Sequence, residues 1–273
     1  MTVDLQIDRD GTAGKALGAL LEHCKTDSNL QKDKNIHMII STNKKMGAQK
    51  DSIPRIIPLT SCKLNKPKDF RTLLITKDPS NVYRDALTKD AATSELFKEI
   101  IGLKSLKRRF RGIKITQLYK EFDLIVADFR VLHLLPDILG QKFYRGNKKL
   151  PYAMKMSREM VVKGKKTIDV CDPLYVRAQL RSICKNTSYV PNNDNCLSVR
   201  IGQVNKTTVP EMLGNIRDII SFLTDKSKKP QGGTIKGGIC SIFVKTTNSP
   251  SLPVYEKNMS TPEEDDSENI KLK

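Results

Sequence analysis

The alternation of apolar and polar residues at the start of the chain predicts one helix followed by two strands. From residue 12 onward, apolar residues recur every three or four positions over about three turns, as on one face of a helix. These residues are Ala13, Ala16, Leu17, Leu20, Leu21 and Cys24. The apolar run 36–41 predicts a strand, and the run 53–60 predicts an edge strand because it contains two prolines. Residues 64–70 predict a linker.

The middle of the chain predicts strands that alternate with helices. The short apolar runs 71–76 and 122–128 predict buried strands. Asp78 and Pro79 predict a helix start after the first of them, with the aspartate as the cap and the proline in the first turn. Residues 131–143 predict a helix that carries a proline. This alternation is typical of a parallel sheet, so we predict an α/β middle segment.

The last third of the chain predicts two further helices and two strands. Asp172 and Pro173 start a helix that runs to about Lys185. Residues 197–202 alternate as in a half-buried strand, and residues 239–245 predict a final apolar strand. Between them, 208–211 has the spacing of a capping box. It precedes the clearest amphipathic helix of the chain, whose apolar residues are Met212, Leu213, Ile216, Ile219, Ile220 and Leu223.

The net charge of the chain predicts an affinity for polyanions. Lysine and arginine number 48 against 30 aspartates and glutamates, which gives a formal net charge of +18 and a pI near 9.6. Residues 258–273 form an acidic tail that we expect to be disordered, so the preceding residues are more basic than the whole. A field of this size favours partners rich in phosphate. Charge alone is also compatible with a soluble basic protein of another kind.

Catalytic and metal-binding motifs are missing from the sequence. No glycine-rich phosphate loop or nucleophile elbow occurs, and the six cysteines have no zinc-type spacing. The three histidines lie in apolar or helical patterns, and Asp123 and Asp128 flank a strand, where an acid usually caps a neighbouring element. We therefore predict no enzyme, no cofactor and no metal. The start of the chain does not resemble a signal peptide and no apolar run reaches about 20 residues, which predicts an intracellular protein without a membrane partner.

Cationic segments recur along the chain, and they indicate a nucleic-acid partner. The segment 104–114 has six bases and no acid, and 142–149, 155–166 and 225–238 are also strongly basic. Each segment alone could be a solvated face, but lysine and arginine beside flexible glycines suit a sugar-phosphate backbone. We favour RNA over DNA because no helix-turn-helix, zinc finger or basic zipper is visible. Recognition would then use shape and backbone rather than stacked bases.

Three ordered stretches of the sequence resemble the ribosomal protein L1 family. They are RTLLITKD with FDLIVADFRVLHLLPDILGQKFYRGNKKLPY, LSVRIGQVNKTTVPEMLGNIRDIISFL, and KTTNSPSLPVY. In the second stretch, the family pattern is matched at Gly202, Leu213, Asn215 and Ile216. The resemblance covers nearly all of residues 12–255. It is closer to the eukaryotic branch that works in ribosome assembly, at the small-subunit processome, than to the ribosomal protein itself.

The resemblance implies a two-domain α/β fold: a split first domain and an inserted, Rossmann-like second domain. We expect residues 1–67 and 154–257 to form the first domain. Residues 68–153 would form the second, with hinges near 64–70 and 148–155. Residues 258–273 would be the acidic tail.

The resemblance also implies an RNA-binding surface on the first domain. The residues expected to line it are Thr247, Asn248, Ser249 and Ser251, and those expected to contact phosphate are Lys32, Lys34, Lys44, Lys45 and Lys245. Asn248 and Ser249 replace a methionine and a glycine of the family, and a serine at a position of close approach is expected to reshape the contact. A second basic face is expected on the inserted domain, from Lys107, Arg108, Arg109, Arg111, Lys142, Arg145, Lys148 and Lys149.

The function that follows is a non-enzymatic factor of ribosome biogenesis. Its expected partners are precursor ribosomal RNA of the small subunit, preribosomal proteins and a small nucleolar ribonucleoprotein. We expect a monomer within a large nucleolar assembly. Two alternatives stay open: an assembly factor of the large subunit from the same family, and a protein-interaction module that docks on acidic partners.

Overall fold

The computed structural model describes residues 11–48, 51–61, 63–147, 149–158, 161–162, 165–166, 171–228 and 232–257. Its helices are α1 Thr12–Thr26, α2 Ser80–Lys89, α3 Leu103–Arg109, α4 Ile113–Glu121, α5 Leu135–Leu139, α6 Gln141–Tyr144, α7 Pro173–Lys185 and α8 Val209–Thr224. Its strands are β1 Asn35–Thr42, β2 Arg55–Ile57, β3 Thr72–Thr76, β4 Glu99–Gly102, β5 Leu124–Asp128, β6 Tyr152–Met154, β7 Val161–Val162, β8 Lys165–Lys166, β9 Thr187–Tyr189, β10 Cys196–Gln203, β11 Ile239–Lys245 and β12 Leu252–Glu256.

The first large sheet joins strands from both ends of the chain. Its order is β10-β1-β11-β12, and all neighbouring strands are antiparallel. Every second residue of β1 is buried, because successive side chains of a strand point to opposite faces. Helices α1 and α8 supply the apolar partners of the buried face, where the core includes Leu17, Leu20, Met38, Ile216, Ile242 and Val244. The opposite face carries polar and half-buried residues.

The second large sheet is parallel, as the alternation of strands and helices predicts. Its order is β4-β3-β5-β6. All five residues of β3 and of β5 are buried, because helices cover both faces of a parallel sheet. One apolar core combines Leu73, Ile75 and Ile125 with Leu106, Leu118, Leu135 and Phe143 from the helices α3 to α6. The predicted α/β fold with an inserted parallel sheet is therefore confirmed.

Helix α7 packs against the parallel sheet, although it follows that sheet in the chain. Its residues Val176 and Leu180 lie in one cluster with Leu74 and Val126 of the sheet and with Leu87 of α2. After α7, strand β9 pairs with β2 in a small antiparallel ribbon. The segment that returns to the first sheet thus first contributes a helix to the core of the second.

The sequence signals at two helix starts are confirmed. The Asp172 carboxylate accepts a hydrogen bond from the Tyr175 backbone N–H at 3.0 Å, at the start of α7. The Glu211 carboxylate accepts from the backbone N–H and the hydroxyl of Thr208, both at 2.8 Å, which completes the capping box of α8. In both cases the groups that interact lie three residues apart, so the chain fixes them locally.

Other predictions of local structure were wrong. Asp78 does not cap α2, which starts at Ser80; its carboxylate accepts from the backbone N–H of Lys104 at 2.9 Å and so binds the neighbouring helix α3. The helix expected over 131–143 is divided, because Gly140 has a positive φ of 62° between α5 and α6. The edge strand expected over 53–60 is reduced to β2. The short strands β4, β9 and β12 were not anticipated.

Candidate nucleic-acid interface

The loop between β11 and β12 is fastened to the start of β1 by one buried carboxylate. Asp33 is only 8% exposed, and its two oxygens accept three hydrogen bonds from the loop. The donors are the Thr246 hydroxyl at 2.7 Å, the Asn248 backbone N–H at 2.8 Å and the Asn248 side-chain amide at 2.8 Å. Hydrogen bonds to an ionised carboxylate are stronger than neutral ones. Asp33 therefore holds the predicted RNA-binding loop in one conformation.

The predicted residues of this loop differ in exposure. Thr247, Asn248 and Ser251 are exposed, whereas Ser249 is 4% exposed. The Ser249 hydroxyl accepts from the Thr246 backbone N–H at 2.9 Å and donates to the Pro250 carbonyl at 2.9 Å. The serine that replaces the family glycine is thus used inside the loop, so its effect on a partner would come through the shape of the loop.

The predicted phosphate-binding lysines form two groups instead of one. Lys32 and Lys34 are exposed on either side of Asp33, and Lys245 lies opposite His37 in the sheet, so these three cations lie at the same end of β1 as the loop. Lys44 and Lys45 follow the other end of β1, roughly 25 Å away along the strand. The stem of Lys44 lies against Gly237, next to the exposed Lys236. The structure therefore places exposed lysines at both ends of the first sheet.

The predicted basic face of the second sheet contains both exposed and internally bound cations. Lys107, Arg108, Lys142 and Arg145 are exposed. Arg109 forms an ion pair with Glu99, and the Arg111 guanidinium donates to the Lys107 carbonyl at 2.9 Å. The segment 104–109 belongs to helix α3, so its cations lie on a helix. Lys148 lies outside the described residues.

Lys149 is the clearest departure from the predicted basic face. Its half-buried ammonium donates to the carbonyls of Tyr119 at 2.6 Å and Phe122 at 2.8 Å, at the end of α4. It also lies 4.1 Å from the centre of the Tyr119 ring. Burial lowers its pKa, while the charge of Asp123 acts in the opposite direction. Lys149 therefore satisfies carbonyls that the helix leaves without a partner.

Replacing Lys149 with methionine is expected to lower the free energy of unfolding by about 2 kcal/mol, because two charge-assisted hydrogen bonds to buried carbonyls are lost. The matched control is Lys142→Met. Lys142 is exposed and lies 5.5 Å from the same ring, so its removal should cost less than about 0.5 kcal/mol. Urea unfolding of both variants measures the two changes in the free energy of unfolding. Equal stability would show that the Lys149 ammonium contributes nothing net to the fold.

Reasoning from the sequence missed the role of Asp33. An acid between Lys32 and Lys34 is a local break in a basic run, and this was the only signal available.

Among the residues that the structure describes, no group of three or more His, Cys, Asp or Glu side chains could hold a metal ion. No helix in the described ranges is long and apolar enough to cross a membrane. Asp123 and Asp128 are bound to Arg71 and Arg130 respectively.

These features define an α/β protein with two large sheets, in which exposed lysines lie beside an anchored loop and at the opposite end of β1. Residues 20–250 match the model of the Ribosomal protein L1p/L10e family. The chain belongs to this family, as the resemblance of its motifs predicted.

Two of the relatives of the chain carry names from ribosome biogenesis. It is 64% identical over 250 residues to Ribosome biogenesis protein UTP30 of Saccharomyces cerevisiae, covering 92% of this chain and 91% of that protein. It is 31% identical to the Putative ribosome biogenesis protein C8F11.04 of Schizosaccharomyces pombe, over 79% of this chain and 52% of that protein. Proteasome-interacting protein CIC1 of Saccharomyces cerevisiae is 28% identical, over 69% of this chain and 46% of that protein. The resemblance to the ribosome-assembly branch of the family is thus confirmed.

Proposed function

We propose that this protein is a non-enzymatic ribosome biogenesis factor that binds precursor ribosomal RNA in small-subunit preribosomes and supports its processing. The observation that carries the proposal is the 64% identity, over nearly the full length of both chains, to a yeast ribosome biogenesis protein. The net charge of +18 supports a phosphate-rich partner. The proposed location is the nucleolus, and the further partners are preribosomal proteins and a small nucleolar ribonucleoprotein around one copy of the chain.

The proposed RNA surface is centred on the loop that Asp33 anchors. Thr247, Asn248 and Ser251 would face the RNA, with Ser249 setting the shape of the loop. Lys32, Lys34 and Lys245 would neutralise phosphates beside it, and Lys44 and Lys45 would do so at the far end of β1. Support comes from the exposure of four of these lysines, while Lys245 is half-buried. The anchored loop also supports the proposal, because a fixed loop loses less conformational entropy on binding.

A second contact is proposed on the inserted sheet, through Lys107, Arg108, Lys142 and Arg145.

We further propose that the domain limits are 1–67 with 154–257 for the first domain and 68–153 for the second. The separate cores of the two large sheets support this division. Helix α7 would then belong to the first domain by sequence and contact the second by packing.

Crosslinking by ultraviolet light in cells, with sequencing of the attached RNA and mapping of the crosslinked peptides, tests this function. The expected result is enrichment of small-subunit precursor RNA on peptides around Lys34 and Thr247. Enrichment of large-subunit spacer RNA would instead assign the protein to large-subunit assembly.

The interaction-module alternative retains some support from the 28% identity to a protein named as proteasome-interacting. Nuclease treatment of isolated preribosomes separates it from RNA binding. Release of the protein by complete RNA digestion is the expected result. Retention after digestion, together with no RNA enrichment in the crosslinking experiment, would show that protein partners hold it.

A further inference from the structure

A cleft lies between the open face of the first sheet and the start of the second. Its volume is about 660 Å³, within the usual range of ligand pockets. One wall is formed by outward-facing residues of β1 and β10, including His37, Ser198 and Arg200. The facing wall contains the beginning of β5, residues 149–152 and residues 187–190. The cleft was not part of the site predicted from sequence.

Arg200 is a cation without a counter-charge in this cleft. It lies in the middle of β10, and burial lowers the pKa of its guanidinium. Within the part of the chain that the structure describes, this guanidinium makes no hydrogen bond and no ion pair. Arg200 is half-buried, so its guanidinium is partly removed from water without gaining a partner from the protein in exchange. A bound anion would supply the missing partner.

Arg200 is also the first member of a cationic row across the sheet. In the strand register Arg200 lies opposite His37, and His37 lies opposite Lys245. Directly opposite residues of antiparallel strands have their side chains on the same face, where like charges destabilise the sheet. Burial lowers the pKa of His37, the charges of Arg200 and Lys245 lower it further, and Asp33 acts in the opposite direction. The row leads from the cleft to the base of the anchored loop.

The facing wall of the cleft does not neutralise Arg200. Asp123 lines it, but the Arg71 guanidinium donates to both oxygens of this carboxylate, at 2.8 and 2.9 Å. This pairing lowers the pKa of Asp123 to about 2. Lys149 lines the cleft as well, with its ammonium held by the carbonyls at the end of α4. Tyr152 and Ser188 are hydrogen-bonded to each other at 2.8 Å, so each keeps part of its hydrogen-bonding capacity for a ligand.

We propose that this cleft binds a backbone phosphate of single-stranded RNA, with the Arg200 guanidinium as its anchor. The cationic row continues from the cleft to Lys245 and the anchored loop, which is the path of an extended polyanion, and this continuity favours an RNA strand over a small anion. The forked guanidinium suits the oxygens of a phosphate. The inference rests on the proposed RNA-binding function and adds a site to it.

Measurements of RNA affinity and of melting temperature on the full chain test the proposed site. The probe is a fluorescent single-stranded 12-nucleotide RNA of mixed sequence, measured by anisotropy across salt concentrations. Arg200→Met is expected to weaken binding about tenfold and to reduce the salt slope by about 0.7, the value for one phosphate contact. Its melting temperature should change little, because this half-buried guanidinium has no hydrogen-bond or ion-pair partner to lose in the described part of the chain. The matched control is Arg181→Met, an exposed arginine of α7, with affinity expected within twofold of the unaltered protein.

A second variant keeps the test decisive if Arg200→Met folds poorly. Ser198 is exposed, lines the same wall and lies two residues from Arg200 on the same face of β10. Ser198→Glu would supply an internal carboxylate to Arg200, and it is expected to weaken RNA binding at least tenfold in a folded protein. RNA affinity unchanged by Ser198→Glu would overturn the proposal.

Other ligands for the cleft are separated by two competitors. A 12-residue polyglutamate peptide that binds more tightly than the RNA, and loses its affinity in Arg200→Met, would overturn the RNA assignment in favour of an acidic protein segment. Inorganic phosphate that raises the melting temperature as much as the RNA does would overturn it in favour of a small anion. If the unaltered protein binds no RNA at all, the proposed function fails; if it binds and Arg200→Met binds equally, only the cleft site fails.

The histidine of the row gives a further expected result. A phosphate near His37 would raise its pKa above the lowered value of the unbound protein, so binding is coupled to proton uptake. RNA affinity is therefore expected to rise as the pH falls from about 7.5 to 5.5, and His37→Gln should remove most of this dependence. The same dependence in His37→Gln as in the unaltered protein would show that the phosphate lies elsewhere.

Discussion

Replacing Lys32, Lys34, Lys44 and Lys45 together with glutamine is expected to weaken binding of single-stranded RNA by about 10²- to 10³-fold at 0.15 M salt. Each lost phosphate contact removes the release of condensed counterions, so the slope of log affinity against log salt should fall by about 3. The four side chains are exposed, so the free energy of unfolding should change little. Anisotropy titrations at several salt concentrations measure both quantities.

The control for this variant changes the net charge by the same amount at other places. Lys15 and Lys25 of α1, Lys89 of α2 and Lys185 of α7 are exposed on helices, and their replacement with glutamine should weaken binding less than about tenfold, through the long-range field alone. Two double variants separate the groups: one replaces Lys32 and Lys34, and the other replaces Lys44 and Lys45. Because they lie at opposite ends of β1, their effects should add if one RNA covers both groups. A quadruple variant no weaker than its control would remove these lysines from the interface.

Replacing Asp33 with alanine is expected to weaken RNA binding although it makes the protein more positive. The carboxylate holds the loop that contains Thr247, and without it the Asn248 backbone N–H and the Thr246 hydroxyl lose their acceptor. The free energy of unfolding should fall by about 2–4 kcal/mol, since a buried carboxylate with three hydrogen bonds is removed. Urea unfolding and RNA titration provide the two measurements.

Asp85→Ala separates the structural effect of Asp33 from its charge. Asp85 is an exposed acid of α2, and its removal should leave stability unchanged and raise RNA affinity slightly. If electrostatics alone governed binding, Asp33→Ala would behave in the same way. A gain in RNA affinity in both variants would therefore show that the conformation of the loop is unimportant for RNA.

Local signals were reliable where the interacting groups are neighbours in sequence. The capping box of Thr208 and Glu211 and the cap at Asp172 were predicted correctly, because three residues of chain bring their partners together. Asp78 is followed by a proline, as Asp172 is, yet its carboxylate binds the Lys104 backbone 26 positions away. A competing tertiary partner was available to Asp78, and residue types alone could not reveal it.

The residues of the candidate site were proposed from the sequence and stay a prediction, whereas their arrangement became visible only in the structure. The motif around residues 245–255 and the basic composition identified the loop and its lysines. The sequence could not show that Lys44 and Lys45 lie at the opposite end of β1 from the loop. It also could not show that the Lys149 ammonium is bound by the carbonyls of Tyr119 and Phe122, because these contacts join positions 30 and 27 residues apart.

The spacing of apolar residues in α1 and α8, the excess of positive charge and the family motifs follow from the sequence alone, since all of these are properties of neighbouring residues or of composition. Which distant groups come into contact depends on how the chain folds. Asp33 reaches Asn248 across 215 positions, and Arg200 and Lys245 lie on either side of His37 only because strands from both chain ends pair in one sheet. Burial and the neighbouring groups determine which of these charged side chains are bound within the protein and which can bind an anion. The reason is that the free energy of a charged group depends on its surroundings.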